Sequence, residues 1–172
     1  MQIRSNKYTM HLEDMPLDIG YASEKVTLTT LDAKEHIIGG HNGLTQLIIT
    51  TPYIDDTFIN EMKRIDEIIP VGTEHKVEAF LVVANATQKV PALKKFHFLV
   101  DSKGELGDMY GVRLKGEPFE DELTKAIILI SKDGAIYYDQ FCDDLSHEFN
   151  KDILYRKILA AQLCYTGKGC HE

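Results

Sequence analysis

Three cysteines, seven histidines and several groups of carboxylates are the residues of this chain whose types could do chemistry. Thiolates attack peroxides and disulfides and bind soft metals, while imidazoles move protons and ligate borderline metals. The densest arrangement is LCYTGKGCHE, where Cys164 and Cys170 are separated by five residues and His171 follows directly. Gly167 and Gly169 make a closed loop between the two sulfurs sterically accessible. The spacing is not the two-residue spacing of thioredoxin motifs, zinc ribbons or c-type haem attachment. Three readings therefore stay open: a tail without chemical role, a redox-active Cys164–Cys170 disulfide, or a metal or haem site of Cys164, Cys170 and His171.

The remaining candidates are plainer. Cys142 closes an apolar run and reads as a half-buried structural thiol. His97 lies inside FHFLVD, where a hydrogen-bonded core imidazole is expected, and His11, His36, His41, His75 and His147 fall on turns and polar faces. DQFCDDLSHE gathers three Asp, a Glu, a Cys and a His, yet its spacing fits no metal motif, so a solvated loop is expected. An odd cysteine count leaves at least one thiol outside any intramolecular disulfide, and a disulfide-built scaffold is not expected.

The elements that must position these groups follow from periodicity. Two runs, KYTMHLEDM and KVTLTTL, alternate polar and apolar within residues 7–31 and predict an N-terminal hairpin or a pair of edge strands. LTQLIIT (44–50) is apolar on both faces, as a strand covered from two sides must be. Ile59, Met62, Ile65 and Ile69 then recur at helical spacing behind an acidic first turn, with Glu61, Lys63, Arg64 and Glu67 on the polar side and Asp56 as N-cap or first-turn acid. Strands are predicted at 76–86, 96–101 and 124–131. A short helix precedes Gly111, an Asp-Gly turn leads into a return strand at 135–141, and Asn150 caps a final helix over 151–163.

Composition narrows the function classes. Nineteen Lys plus Arg against 27 Asp plus Glu give a formal charge of −8, which disfavours nucleic-acid and anionic-membrane binding. No stretch resembles a secretory leader or a membrane span, so a cytoplasmic protein is expected. No cofactor is implied. One α/β domain over 1–163 is expected, followed by the Cys/Gly/His tail 164–172.

Four stretches resemble the thiol peroxidase branch of the peroxiredoxins: MPLDIGYASEKVTL, LIITTPYIDDTF, YGVRLKGEPFEDELTKAIILISKDGAIYYDQF and HEFNKDILYRKILAAQ. The resemblance implies a thioredoxin-like fold, a central mixed β-sheet flanked by helices, with the N-terminal hairpin added. It also implies a homodimer and, where the protein is redox-active, a thioredoxin-type reductant. The family signature is proline, three residues, threonine or serine, two residues, cysteine, with a distant arginine. Matched to it, Pro52 is retained, Asp56 takes the threonine place, Ile59 the place of the attacking cysteine and Lys125 that of the arginine. An isoleucine has no lone pair to attack with, and Asp56 puts negative charge where a thiolate needs positive potential. The resemblance thus implies a peroxidase scaffold with a degenerate site that works by binding. The alternatives are a thiol oxidoreductase that uses Cys164 and Cys170, or metal or haem binding in the tail.

Overall fold

The computed structural model describes residues 1–72 and 76–163. Thr45–Thr50 (β5) forms from the run with no polar face, and every one of its six residues is buried. It pairs in parallel with Val77–Val83 (β6) on one side and antiparallel with Ala126–Ile130 (β9) on the other. Phe96–Val100 (β7) continues the parallel set, and Ile136–Phe141 (β10) closes one edge through the hairpin whose turn holds Gly134 at φ +88°. The seven-stranded sheet has the order β10-β9-β5-β6-β7-β3-β4, with Val26–Thr29 (β3) and Glu35–Ile38 (β4) completing the far edge.

Helices cover both faces of this sheet. Asp56–Ile68 (α1) presents Phe58, Met62 and Ile65, with Ile69 just beyond its end, and these pack with Leu154 and Ile158 of Lys151–Ala161 (α3) over Leu47, Ile49, Leu81 and Leu129. Burying each such side chain contributes roughly 1.5–3 kcal/mol. Pro70 ends α1 because the residue before a proline is driven out of the helical region, and Ile69 is extended at ψ 123°. On the opposite face Leu106 and Tyr110 of Glu105–Tyr110 (α2) pack over Val26, Leu28, Phe80 and Ile128. The mixed sheet between two helical layers is the predicted α/β, thioredoxin-like architecture.

The N-terminal region differs from expectation in its pairing. Gln2–Ser5 (β1) and Tyr8–Leu12 (β2) form the hairpin, with Asn6 at φ 52° in its turn, and β2 pairs with Leu114–Lys115 (β8) in a separate three-stranded sheet. The KVTLTTL run instead pairs with β4, a strand the sequence pattern missed because EHII is exposed at three of its four positions or half-buried there. The small sheet encloses Ile3, Met10, Leu12, Leu114 and Leu145. Backbone bonds from Arg4 N to Asp143 O (2.8 Å) and from Leu145 N to Arg4 O (2.9 Å) tie β1 to the loop that follows β10. Among the described residues no helix is long and apolar enough to cross a membrane.

Candidate functional site

The chain leaves β5 through two threonines whose hydroxyls are used locally. Thr50 donates to the Thr124 carbonyl (2.7 Å) and Thr51 to the Tyr53 carbonyl (2.8 Å), which turns Pro52 and Tyr53 across the end of the sheet. Gln88, from the irregular segment after β6, clamps this turn from outside: its carbonyl accepts from Ile54 N (3.0 Å) and its amide donates to Pro52 O (3.3 Å). Asp55 then caps α1 by accepting from Phe58 N at 2.8 Å. The cap is thus Asp55 rather than Asp56, which is the first helical residue and is exposed.

Between this turn, the head of α1 and the loop after β10 lies a pocket of about 170 Å³, lined by Pro52, Tyr53, Phe58, Glu61, Lys125 and Leu145 among others. The floor carries an ion pair that the sequence did not announce. Glu61, expected on the polar face of α1, is buried together with Lys125, their side chains 4% and 7% exposed, and Nζ lies 2.7 Å from Oε1. Lys125 Nζ also donates to the His147 carbonyl at 2.6 Å, and Glu61 Oε2 accepts from Phe149 N at 2.6 Å. The ammonium sits 5.0 Å from the ring centre of Phe149 and 5.7 Å from that of Phe58. Its charge is therefore consumed within the protein by a carboxylate, a carbonyl and two aromatic faces.

Other groups at the site are tuned by burial and by carboxylates. Desolvation raises the Tyr53 hydroxyl above its usual range, reinforced by Asp55, Asp144 and Glu61. The Tyr53 ring stacks on Phe119 with centroids 5.2 Å apart. Cys142 is buried, not half-buried, and desolvation pushes its thiol up to about 11 against the opposing pull of Lys125. A thiol so placed is almost wholly protonated at neutral pH and is a poor nucleophile.

With this geometry in place, comparison with known proteins is informative. No family model matches the chain. A thiol peroxidase of Aquifex aeolicus is 25% identical over 158 residues, which are 83% of this chain and 87% of that protein. The chain thus resembles the thiol peroxidases in sequence. The crystal structure of a peroxiredoxin-like protein from Aquifex aeolicus superposes with a TM-score of 0.81 at 23% identity, over 93% of this chain and 96% of that one. A thiol peroxidase from Chromobacterium violaceum gives 0.75 at 14% identity, over 92% and 95%.

Within this peroxiredoxin-like fold, the four positions matched to the family signature divide into two pairs. Pro52 and Lys125 line the pocket, whereas Asp56 points to solvent and Ile59 is buried at 8% exposure without lining it. Ile59 lies in the first turn of α1, its N–H bonded to Asp55 O at 2.9 Å, as expected. His97 departs from expectation: it lies exposed on the sheet surface rather than in the core, as one of the less covered first positions of β7, of which only Leu99 and Val100 are buried. The 139–148 loop is held by its own hydrogen bonds, with Asp144 capping Ser146 and His147 Nδ1 3.7 Å from Asp143. Among the described residues no group of three or more His, Cys, Asp or Glu is disposed to hold a metal. Cys164, Cys170 and His171 lie outside the described residues. Sequence reasoning missed Glu61, Gln88 and Tyr53. The available signal was Lys125 itself, a cation opening an otherwise apolar strand, which requires a buried counter-charge.

Proposed function

We infer that this chain is a thiol peroxidase-like protein that acts by binding at the head of α1 rather than by reducing peroxide there, and that it works as a homodimer. The observation that carries the reading is the Lys125–Glu61 pair on the pocket floor. Peroxide reduction by a thiol needs a thiolate and a free positive potential to stabilise it. Here position 59 is a buried isoleucine, the pocket cation is neutralised internally, and Asp55 adds negative charge to the lining, while the Glu148 carboxylate is paired with Arg64 at 2.6 Å. Cys142 offers no substitute, since burial keeps it protonated.

The test is hydrogen peroxide consumption with a thioredoxin-type reductant, run on the full chain and on Cys142→Ser and Cys164→Ser. The expected outcome is no turnover above that of exposed thiols in any of the three. Fast turnover by the wild-type chain refutes the binding reading, and its loss in Cys164→Ser transfers the activity to the Cys164 and Cys170 tail. Size-exclusion chromatography with light scattering tests the dimer.

A further inference from the structure

Away from the pocket, two imidazoles meet on the sheet surface. His36 on β4 lies opposite Leu28 of β3, and His97 on β7 lies opposite Phe80 of β6. Leu28 and Phe80 belong to the core on the α2 side, so strand alternation places both imidazoles on that face, separated by the single strand β3. Their ring centres are 6.1 Å apart, inclined at 34°, and both approach the Phe80 ring, at 5.6 Å for His36 and 5.9 Å for His97. His97 is exposed and His36 half-buried, so water reaches the pair. No nitrogen of either ring has a hydrogen-bond partner among the described residues, in contrast to the buried polar groups of this fold, most of which are satisfied.

We propose that His36 and His97 form a two-imidazole site for a borderline divalent transition metal of the Zn(II), Ni(II) or Cu(II) class, with water completing the coordination sphere. A metal bound at about 2.0–2.1 Å from an imidazole nitrogen lies roughly 3.2 Å from the ring centre. Two rings sharing one ion therefore have centres roughly 5–6.4 Å apart as the ligand angle opens from tetrahedral to linear. The observed 6.1 Å falls within this span, so rotation about the side-chain torsions can aim one nitrogen of each ring at a shared ion. Both rings are borne by strands of one sheet, so the chelating geometry is held by backbone pairing rather than by loops. Imidazole ligands select this metal class over Mg(II) and Ca(II), which require oxygen donors.

The experiment is a titration of the full chain with Ni(II), read by paramagnetic broadening in two-dimensional NMR and by calorimetry. Broadening is expected first at His36, His97, Leu28 and Phe80. His97→Gln and His36→Gln should each weaken binding at least tenfold, because either removes half of a bidentate site. Initial broadening in the His147 loop or in the Cys164–His171 tail, or an affinity unchanged by both substitutions, overturns the proposal. Should His36→Gln fail to fold, the exposed His97→Gln carries the test alone.

Discussion

Replacing Glu61 with Gln and Lys125 with Met, singly and together, probes the most consequential contact in the molecule. At an effective dielectric constant near 20, unit charges 2.7 Å apart attract by about 6 kcal/mol. Removing both ions from water costs several kcal/mol each, so the pair as a whole contributes little net stability. Removing one member is a different matter, because the other stays buried and unpaired. Each single substitution is expected to destabilise by about 3–5 kcal/mol. The glutamine retains an acceptor for Phe149 N, and the methionine fills the space between Phe58 and Phe149, so the double variant is expected within about 2 kcal/mol of wild type. The chain has no tryptophan, so urea denaturation is best followed by circular dichroism. Single variants costing less than about 1 kcal/mol, or single costs that simply sum to that of the double, refute the account of Lys125 as internally neutralised.

Three further outcomes follow from the same coordinates. Ile59→Ala should cost about 2 kcal/mol, the low end for a buried aliphatic truncation because Ile59 sits beside the main stripe; a loss below about 0.5 kcal/mol by urea denaturation contradicts its burial. Asp55→Ala should cost about 1 kcal/mol through loss of the α1 cap, whereas Asp56→Ala should change stability much less. Burial pushes the Tyr110 hydroxyl up to about 12 in the folded state, so the unfolded chain loses this proton first; stability should fall as pH rises from about 10 towards 12, and a flat alkaline profile in thermal melts would count against it.

Much of the fold was legible because it rests on local chemistry. The unbroken apolar run of β5, the spacing of Met62, Ile65 and Ile69, the Asp133-Gly134 turn and the Asn150 cap each specify their element without reference to distant sequence. What was not legible depends on partners far along the chain. β2 looks equally ready to pair with the KVTLTTL run, and only the two-residue β8, about a hundred positions later, decides otherwise. Glu61 reads as a surface residue until Lys125, 64 residues away, supplies its counter-charge. His97 shows the converse error: an apolar neighbourhood in sequence marks a strand, while exposure depends on which helix covers it. Of the pocket, Pro52 and Lys125 were singled out only through the resemblance to the thiol peroxidase signature, and Gln88 could not be, since its role is to hold backbone groups in another segment.

The small sheet bears on how the protein is made. β1 and β2 leave the ribosome well before the strand they need, β8, and the Asp143–Leu145 segment that Arg4 grips, which come more than a hundred residues later. Until then Ile3, Met10 and Leu12 lack their burial partners, so this hairpin must wait for Leu114 and Leu145 to be made before it can dock. When it docks it also fixes Leu145, a wall of the pocket. Completion of the pocket wall and docking of the β1–β2 hairpin are therefore one late event.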